Sequence, residues 1–208
     1  MKVNEIFSSI QGEGKYTGYP TVFVRFSGCN LRCQYCDTKY SYREGFEINI
    51  EDILKKIKLY GIKRVCITGG EPLLNDISFL LKRLKDYWVS IETNGSIDLG
   101  KYSLSKNHNF IMDIKTPSSG VSEFNLYENF KNLNDMDEIK FVISSKDDYI
   151  WAKEIINNYY IKGEIVFSTV FGKLRYEDVV KWILEDKIEA RFQIQLHKIV
   201  WDVDKRGV

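Results

Sequence analysis

Short apolar runs recur along this chain, and stretches with helical periodicity separate several of them. TVFVRFS (21–27), RVCIT (64–68), WVSIE (88–92), FIMDI (110–114), IKFVIS (139–144), EIVFST (164–169) and ARFQIQL (190–196) have the composition of strands. Between them, Ile50, Ile53, Leu54 and Ile57 repeat at helical spacing, with Gly61 as a stop. Ile77, Leu80, Leu81 and Leu84 mark a second helix, the pattern around 149–158 a third, and Val179, Val180, Ile183 and Leu184 a fourth. Strands joined through helices require right-handed crossovers and a mostly parallel sheet. A complete eight-fold barrel takes about 250 residues. The 208 residues here, without repeat or linker, therefore predict a single α/β domain, 1–208, folded as a partial, incomplete TIM-like barrel.

Polar turns follow these strands: SGCN after 21–27, TGGEP after 64–67, ETNG after 88–91 and DIK within 110–115. Sites in α/β sheets lie at the carboxyl ends of the strands, so the four turns are expected to meet at one mouth. The charge balance, 30 Lys and Arg against 29 Asp and Glu, gives no electrostatic reason to expect nucleic acid or an anionic membrane. No apolar stretch is long enough to span a bilayer or to act as a signal peptide, which makes a cytoplasmic location the expectation.

Cys29, Cys33 and Cys36 are spaced C-x-x-x-C-x-x-C, and the fourth cysteine, Cys66, sits in the apolar run VCIT, where a buried thiol is expected. Clustered thiols suit a metal centre better than a disulfide framework. Structural zinc would need a fourth ligand, which His108 or His197 could supply. A 4Fe–4S cluster with one iron free of protein ligand is the alternative, its open position accepting a small molecule.

The cysteine spacing, Tyr35 before the last cysteine, and TGGEP, ETNG and DIK in that order resemble the radical S-adenosylmethionine superfamily. The resemblance implies that the open iron chelates S-adenosylmethionine, whose reductive cleavage yields an adenosyl radical that abstracts a substrate hydrogen. By the same resemblance Tyr35, Cys36, Asp37, Gly70, Glu71, Asn94, Asp113, Ile114 and Lys115 surround that cofactor. Each has a plainer alternative: TGGEP as a tight strand-to-helix turn, ETNG as a solvated turn, and Asp113 with Lys115 as a surface ion pair.

QGEG (11–14) and CDT (36–38) narrow the resemblance. QGEG with Gly18 does not make a dinucleotide fingerprint, because its spacing is wrong and a strand follows. Together these motifs resemble the branch that contracts 6-carboxy-5,6,7,8-tetrahydropterin to 7-carboxy-7-deazaguanine with loss of ammonia, on the way to queuosine. For that branch the resemblance implies Mg²⁺ at Thr38 and a substrate held by Ile10, Gln11, Gly12, Arg25, Thr68, His197 and Val208. Arg25, out of phase with Val24 and Phe26, suits a substrate carboxylate or an ion pair at the barrel rim. His197 also fits an ordinary core or surface position. An external electron donor such as flavodoxin and a homodimer are further implications.

The ending VWDVDKRGV and the run VFSTVFGK depart from relatives of this branch. Glycyl-radical-enzyme activases share the cysteine, GGEP and DIK stretches and are the competing function, although QGEG and CDT argue against them. A non-enzymatic zinc-binding module is a remoter one.

Overall fold

The computed structural model describes residues 1–208. The chain opens on an antiparallel hairpin, β1 (Lys2–Ile10) and β2 (Pro20–Phe26), and the two-residue strand β3 (Phe46–Glu47) pairs antiparallel with β1. From β2 onward, β4 (Arg64–Gly69), β5 (Trp88–Thr93), β6 (His108–Ile114), β7 (Glu138–Ile143), β8 (Glu164–Thr169) and β9 (Arg191–Gln193) are laid side by side in parallel. The nine-stranded sheet has the order β3-β1-β2-β4-β5-β6-β7-β8-β9, with β3 and β9 as its two edges. It is the open, mostly parallel barrel the sequence predicts, with an antiparallel margin that it does not.

Four helices cover the outer face: α1 (Ile50–Leu59), α2 (Ser78–Arg83), α3 (Lys146–Tyr159) and α4 (Tyr176–Asp186). The Asn49 side chain caps α1 by accepting from Asp52 N–H at 2.8 Å, and Ser145 does the same for α3 from Asp148 N–H at 3.1 Å. Acidic residues in both first turns complement the helix dipole. β6 reaches β7 through short 3-10 turns within 117–132 instead of a full helix.

Period-2 alternation gives each parallel strand two different faces. Val24, Phe26, Ile67, Ile91, Met112, Ile114, Phe141 and Phe167 point outward and pack with Ile53, Leu80, Tyr149 and Val179 of the helices in one continuous core. Each such side chain, fully buried, contributes about 1.5–3 kcal/mol. The alternate residues, Arg25, Thr68, Glu92, Asp113 and Lys140, point inward and line a cavity. The helices hold the sheet from outside, which leaves the inner face free for polar chemistry.

The segment after β1 enters this interior from the amino-terminal ends of the parallel strands. Gln11 N–H donates to Tyr19 O at 2.8 Å, Gly14 N–H to Gln193 Oε1 at 2.5 Å and Lys15 N–H to Glu138 Oε1 at 2.9 Å. Residues 11–15 thus bridge from the hairpin to β7 and β9 and form a floor. No helix is long and apolar enough to cross a membrane.

His108 begins β6, at the opposite end of the sheet from the loop that follows β2. It is buried, its Nε2 lies 3.1 Å from Leu84 O, and its Nδ1 has no partner. Burial holds the ring below its ordinary pKa, so the unfolded chain takes up the proton first as pH falls. The His108 contribution is therefore complete above about pH 6.5 and is lost as pH drops below that value. His108→Gln is expected to flatten the decline in melting temperature between pH 7.5 and 5.5 relative to the unaltered protein, measured by thermal unfolding across that range.

Candidate active site

The loop after β2 carries Cys29, Cys33 and Cys36, all unpaired and partly exposed to a cavity of about 880 Å³. Backbone bonds from Gly28 N–H to Ser41 O (2.8 Å) and from Gln34 N–H to Ser119 O (3.0 Å) fasten the loop at two points. Leu31 N–H donates to Cys29 Sγ at 3.4 Å, and Asn94 Nδ2 lies 3.8 Å from the same sulfur. Burial pushes the Cys29 and Cys33 thiols up. No three His, Cys, Asp or Glu side chains gather round one ion position, as tetrahedral zinc would require. His108 is at the far end of the sheet, and His197, though it lines the same cavity, lies against Gly12 on the floor. Three thiols without a convergent fourth ligand fit a cluster that spreads its ligands over separate irons. Cys66 is buried on β4, as its sequence context predicts.

The glycines of TGGEP serve the loop itself. Gly69 has φ 137°, and a Cβ there would overlap the backbone of Phe26. A Cβ on Gly70 would overlap Gly28 O and press on Cys29. Gly70 N–H donates to Phe26 O at 3.0 Å and Glu71 N–H to Gly28 O at 2.8 Å, so the turn lies directly against the root of the cysteine loop. The Glu71 side chain is fully buried and turned away from the cavity. Its carboxylate accepts from Leu73 N–H (3.0 Å), Thr93 Oγ1 (2.9 Å) and Asn94 N–H (2.7 Å), tying TGGEP to ETNG. Asn94 does line the cavity.

In DIK, Lys115 Nζ donates to Asp113 Oδ2 at 2.9 Å, while Asp113 Oδ1 is buried without a partner. The pair faces the cavity rather than bulk solvent, and the Ile114 side chain belongs to the core. Lys115, though buried, is held charged by Asp113, with Cys33 and Tyr35 adding to the effect. Burial pushes the Tyr35 phenol up to about 12. Tyr35, Asp37 and Thr38 all line the cavity, and Thr38 Oγ1 is 3.8 Å from Cys36 Sγ.

On the floor, Ile10, Gln11, Gly12 and Glu13 line the same cavity. Glu13 pairs with Lys140, and its Oε1 is buried without a partner. Gly12 has no room for a side chain because His197 Nδ1 fills that space. Arg25 Nε donates to Glu5 Oε1 at 2.8 Å, which realises the rim ion pair, and the residue lines the cavity. Thr68 Oγ1 donates to Glu92 Oε2 at 2.8 Å. The last six residues, Val208 included, also border the cavity. They are held there by Arg206, which stacks 3.8 Å from the Tyr40 ring centroid and bonds Glu44 at 3.0 Å.

The fold thus gathers the predicted side chains into one site, apart from those of Glu71 and Ile114. Glu13, Glu92 and Lys140 join them. Glu13 belongs to QGEG, whereas Lys140 lies within an apolar strand, marked only by being a charge in an inward phase.

The three-cysteine loop at the mouth of an open barrel agrees with the class of radical S-adenosylmethionine enzymes, and residues 23–123 match the family model described as the radical SAM superfamily. The chain is 41% identical to the 7-carboxy-7-deazaguanine synthase of Chlorobaculum tepidum, covering 100% of this chain and 97% of the relative. It is 43% identical to that of Clostridium acetobutylicum, over 100% and 99%. QueE from Escherichia coli shares the fold, with TM-score 0.78 and 23% identity over 94% of each chain. The chain belongs to the 7-carboxy-7-deazaguanine synthase family. Membership of the radical superfamily implies a 4Fe–4S cluster and S-adenosylmethionine as cofactors.

Gly70→Ala is expected to lower stability by roughly 1–3 kcal/mol through overpacking. It should also reduce the iron bound per chain after anaerobic reconstitution, because the added methyl displaces Gly28 and Cys29. Denaturant unfolding and iron analysis measure the two effects separately.

Proposed function

We propose that this protein contracts 6-carboxy-5,6,7,8-tetrahydropterin to 7-carboxy-7-deazaguanine with loss of ammonia, serving deazapurine nucleosides such as queuosine. One observation carries the reading. In a chain 41–43% identical to synthases of that name along its whole length, a single cavity sets the three-cysteine loop against the QGEG floor.

Cys29, Cys33 and Cys36 hold the cluster in this reading. Bound S-adenosylmethionine and the reduced cluster supply reversible hydrogen-atom abstraction. Tyr35, Cys36, Asp37, the Gly70 backbone, Asn94 and the 113–115 strand end surround the cofactor. The unpartnered Asp113 Oδ1 is suited to a ribose hydroxyl. Glu71 and Ile114 support that wall through the backbone and the core.

Arg25 turns its terminal nitrogens to the substrate carboxylate. Ile10, Gln11, Gly12, Thr68, His197 and Val208 bound the pterin, and the free oxygen of Glu13 adds an acceptor for its N–H edge. Burial keeps His197 below its ordinary pKa, hence neutral at pH 7 and able to serve as donor or acceptor. Thr38 offers a hydroxyl for Mg²⁺, an ion that takes oxygen ligands. The electron comes from an external carrier such as flavodoxin. A single domain of 1–208, a cytoplasmic location and a homodimer that covers an open sheet edge complete the proposal.

The test is turnover by the reconstituted, reduced protein with the pterin, S-adenosylmethionine and Mg²⁺, followed by mass spectrometry. Carboxydeazaguanine formed without stoichiometric loss of S-adenosylmethionine supports the reading. Cleavage of S-adenosylmethionine with no product would reject the substrate and favour an activase. Cys33→Ala is expected to abolish both cluster and product. Thr38→Val should retain the cluster and lose most of the stimulation by Mg²⁺, seen by titrating the metal.

A further inference from the structure

Arg25, Lys115 and Lys140 are the cations that the parallel strands and their ends bring to the cavity wall, and Lys140 alone among them has no part in holding cofactor or substrate carboxylate. Arg25 is bonded to Glu5, and Lys115 to Asp113. Lys140 points from β7 into the cavity and pairs with Glu13 Oε2, the side chains being only 12% and 13% exposed. The pair joins the sheet to the floor segment, since Glu13 belongs to the loop after β1. One Glu13 oxygen is thereby occupied and the other, Oε1, stays buried, unpartnered and at the cavity wall. A carboxylate fixed through one oxygen presents the second in a set direction, and a buried acceptor left free needs a donor.

We propose that Lys140 is a positioning residue: it fixes Glu13 across the floor so that Oε1 accepts an N–H from the aminopyrimidinone edge of the pterin. The inference rests on the substrate assigned above.

Electrostatics agree with the geometry. Glu13 faces Lys140 from β7, His197 from the carboxyl-terminal side and Asp37 from the cysteine loop. Burial alone would raise its carboxyl, but Lys140 holds it below the usual range. Lys140 is itself buried and kept charged by Glu13, with Asp113 and Glu92 also facing it. Glu13 therefore stays an anion through neutral and mildly acidic pH while the pair is intact. Without Lys140, burial dominates, the carboxyl rises, and the acceptor is lost progressively as pH falls.

The experiment uses the reconstituted full chain with S-adenosylmethionine and no reductant, so that the pterin binds without turnover. Its dissociation constant is measured between pH 5.5 and 8 for the unaltered protein, Lys140→Met, Lys140→Arg, Glu13→Gln and the double variant. Lys140→Met is expected to weaken pterin binding on the order of 10–100-fold, most at the acid end, whereas the unaltered protein shows no such dependence from Glu13. Lys140→Arg should recover much of the loss, and the double variant should bind no worse than Glu13→Gln. S-adenosylmethionine affinity and iron content should remain as in the unaltered protein.

Equal pterin binding by Lys140→Met, or losses that add in the double variant, would overturn the positioning role and leave the functional reading standing. A loss of S-adenosylmethionine binding in step with pterin binding would also overturn it, marking Lys140 as a general structural support. If Lys140→Met does not fold, Glu13→Gln with unchanged pterin affinity refutes the proposal by itself. Absence of pterin binding by the unaltered protein would overturn the substrate reading and this inference together.

Discussion

The site depends on one close backbone contact. Gly69 and Gly70 lie against Phe26 and Gly28 with no space for a Cβ, and two main-chain hydrogen bonds hold β4's turn to the root of the cysteine loop. Glu71 extends the contact by satisfying donors from Leu73, Thr93 and Asn94 with one buried carboxylate. Three successive strand ends are thereby locked together before any cofactor binds. A loop of three thiols needs such backing, because its own sequence offers little apolar surface with which to hold a shape.

The two-faced sheet extends the same division of labour through the molecule. Apolar side chains of the parallel strands anchor the outer helices, and their in-register neighbours bring Arg25 beside Thr68 and Asp113 beside Lys140. Because the barrel is incomplete, its interior would be open at the amino-terminal end. Residues 11–15 close that end and reach β7 and β9 through Glu138 and Gln193. The floor is thus both a structural bridge and a wall of the cavity, which gives the buried Glu13–Lys140 pair its place between hairpin and sheet.

The parallel strands and the covering helices were readable because their periodicities are long and regular. EIVFST coincides with β8, and the helical pattern from Ile50 ends near Gly61 as read. β1 carries no clear strand signal, because the register irregularity between Val3 and Glu5 interrupts alternation in KVNEIFSSI, and most of its residues are only half-buried. ARFQIQL read as a longer strand than β9, which pairs only over Arg191–Gln193 before the chain turns inward, where Leu196 N–H donates to Gly12 O. The packing of Gly69 and Gly70 against Phe26 and Gly28 is a long-range contact without a local signal in TGGEP.

Cysteine spacing, turn motifs and strand phase are local properties, and they were enough to establish the class of chemistry, the open α/β barrel and the mouth where the motifs meet. The fate of individual polar groups was settled by packing between distant segments. Whether Arg25 meets Glu5, which oxygen of Asp113 is left free, and which carboxylate Lys140 faces depend on atoms far apart in the chain. A hydrogen bond between charged groups needs its donor and acceptor about 3 Å apart and well aligned, and only the folded sheet fixes distances on that scale.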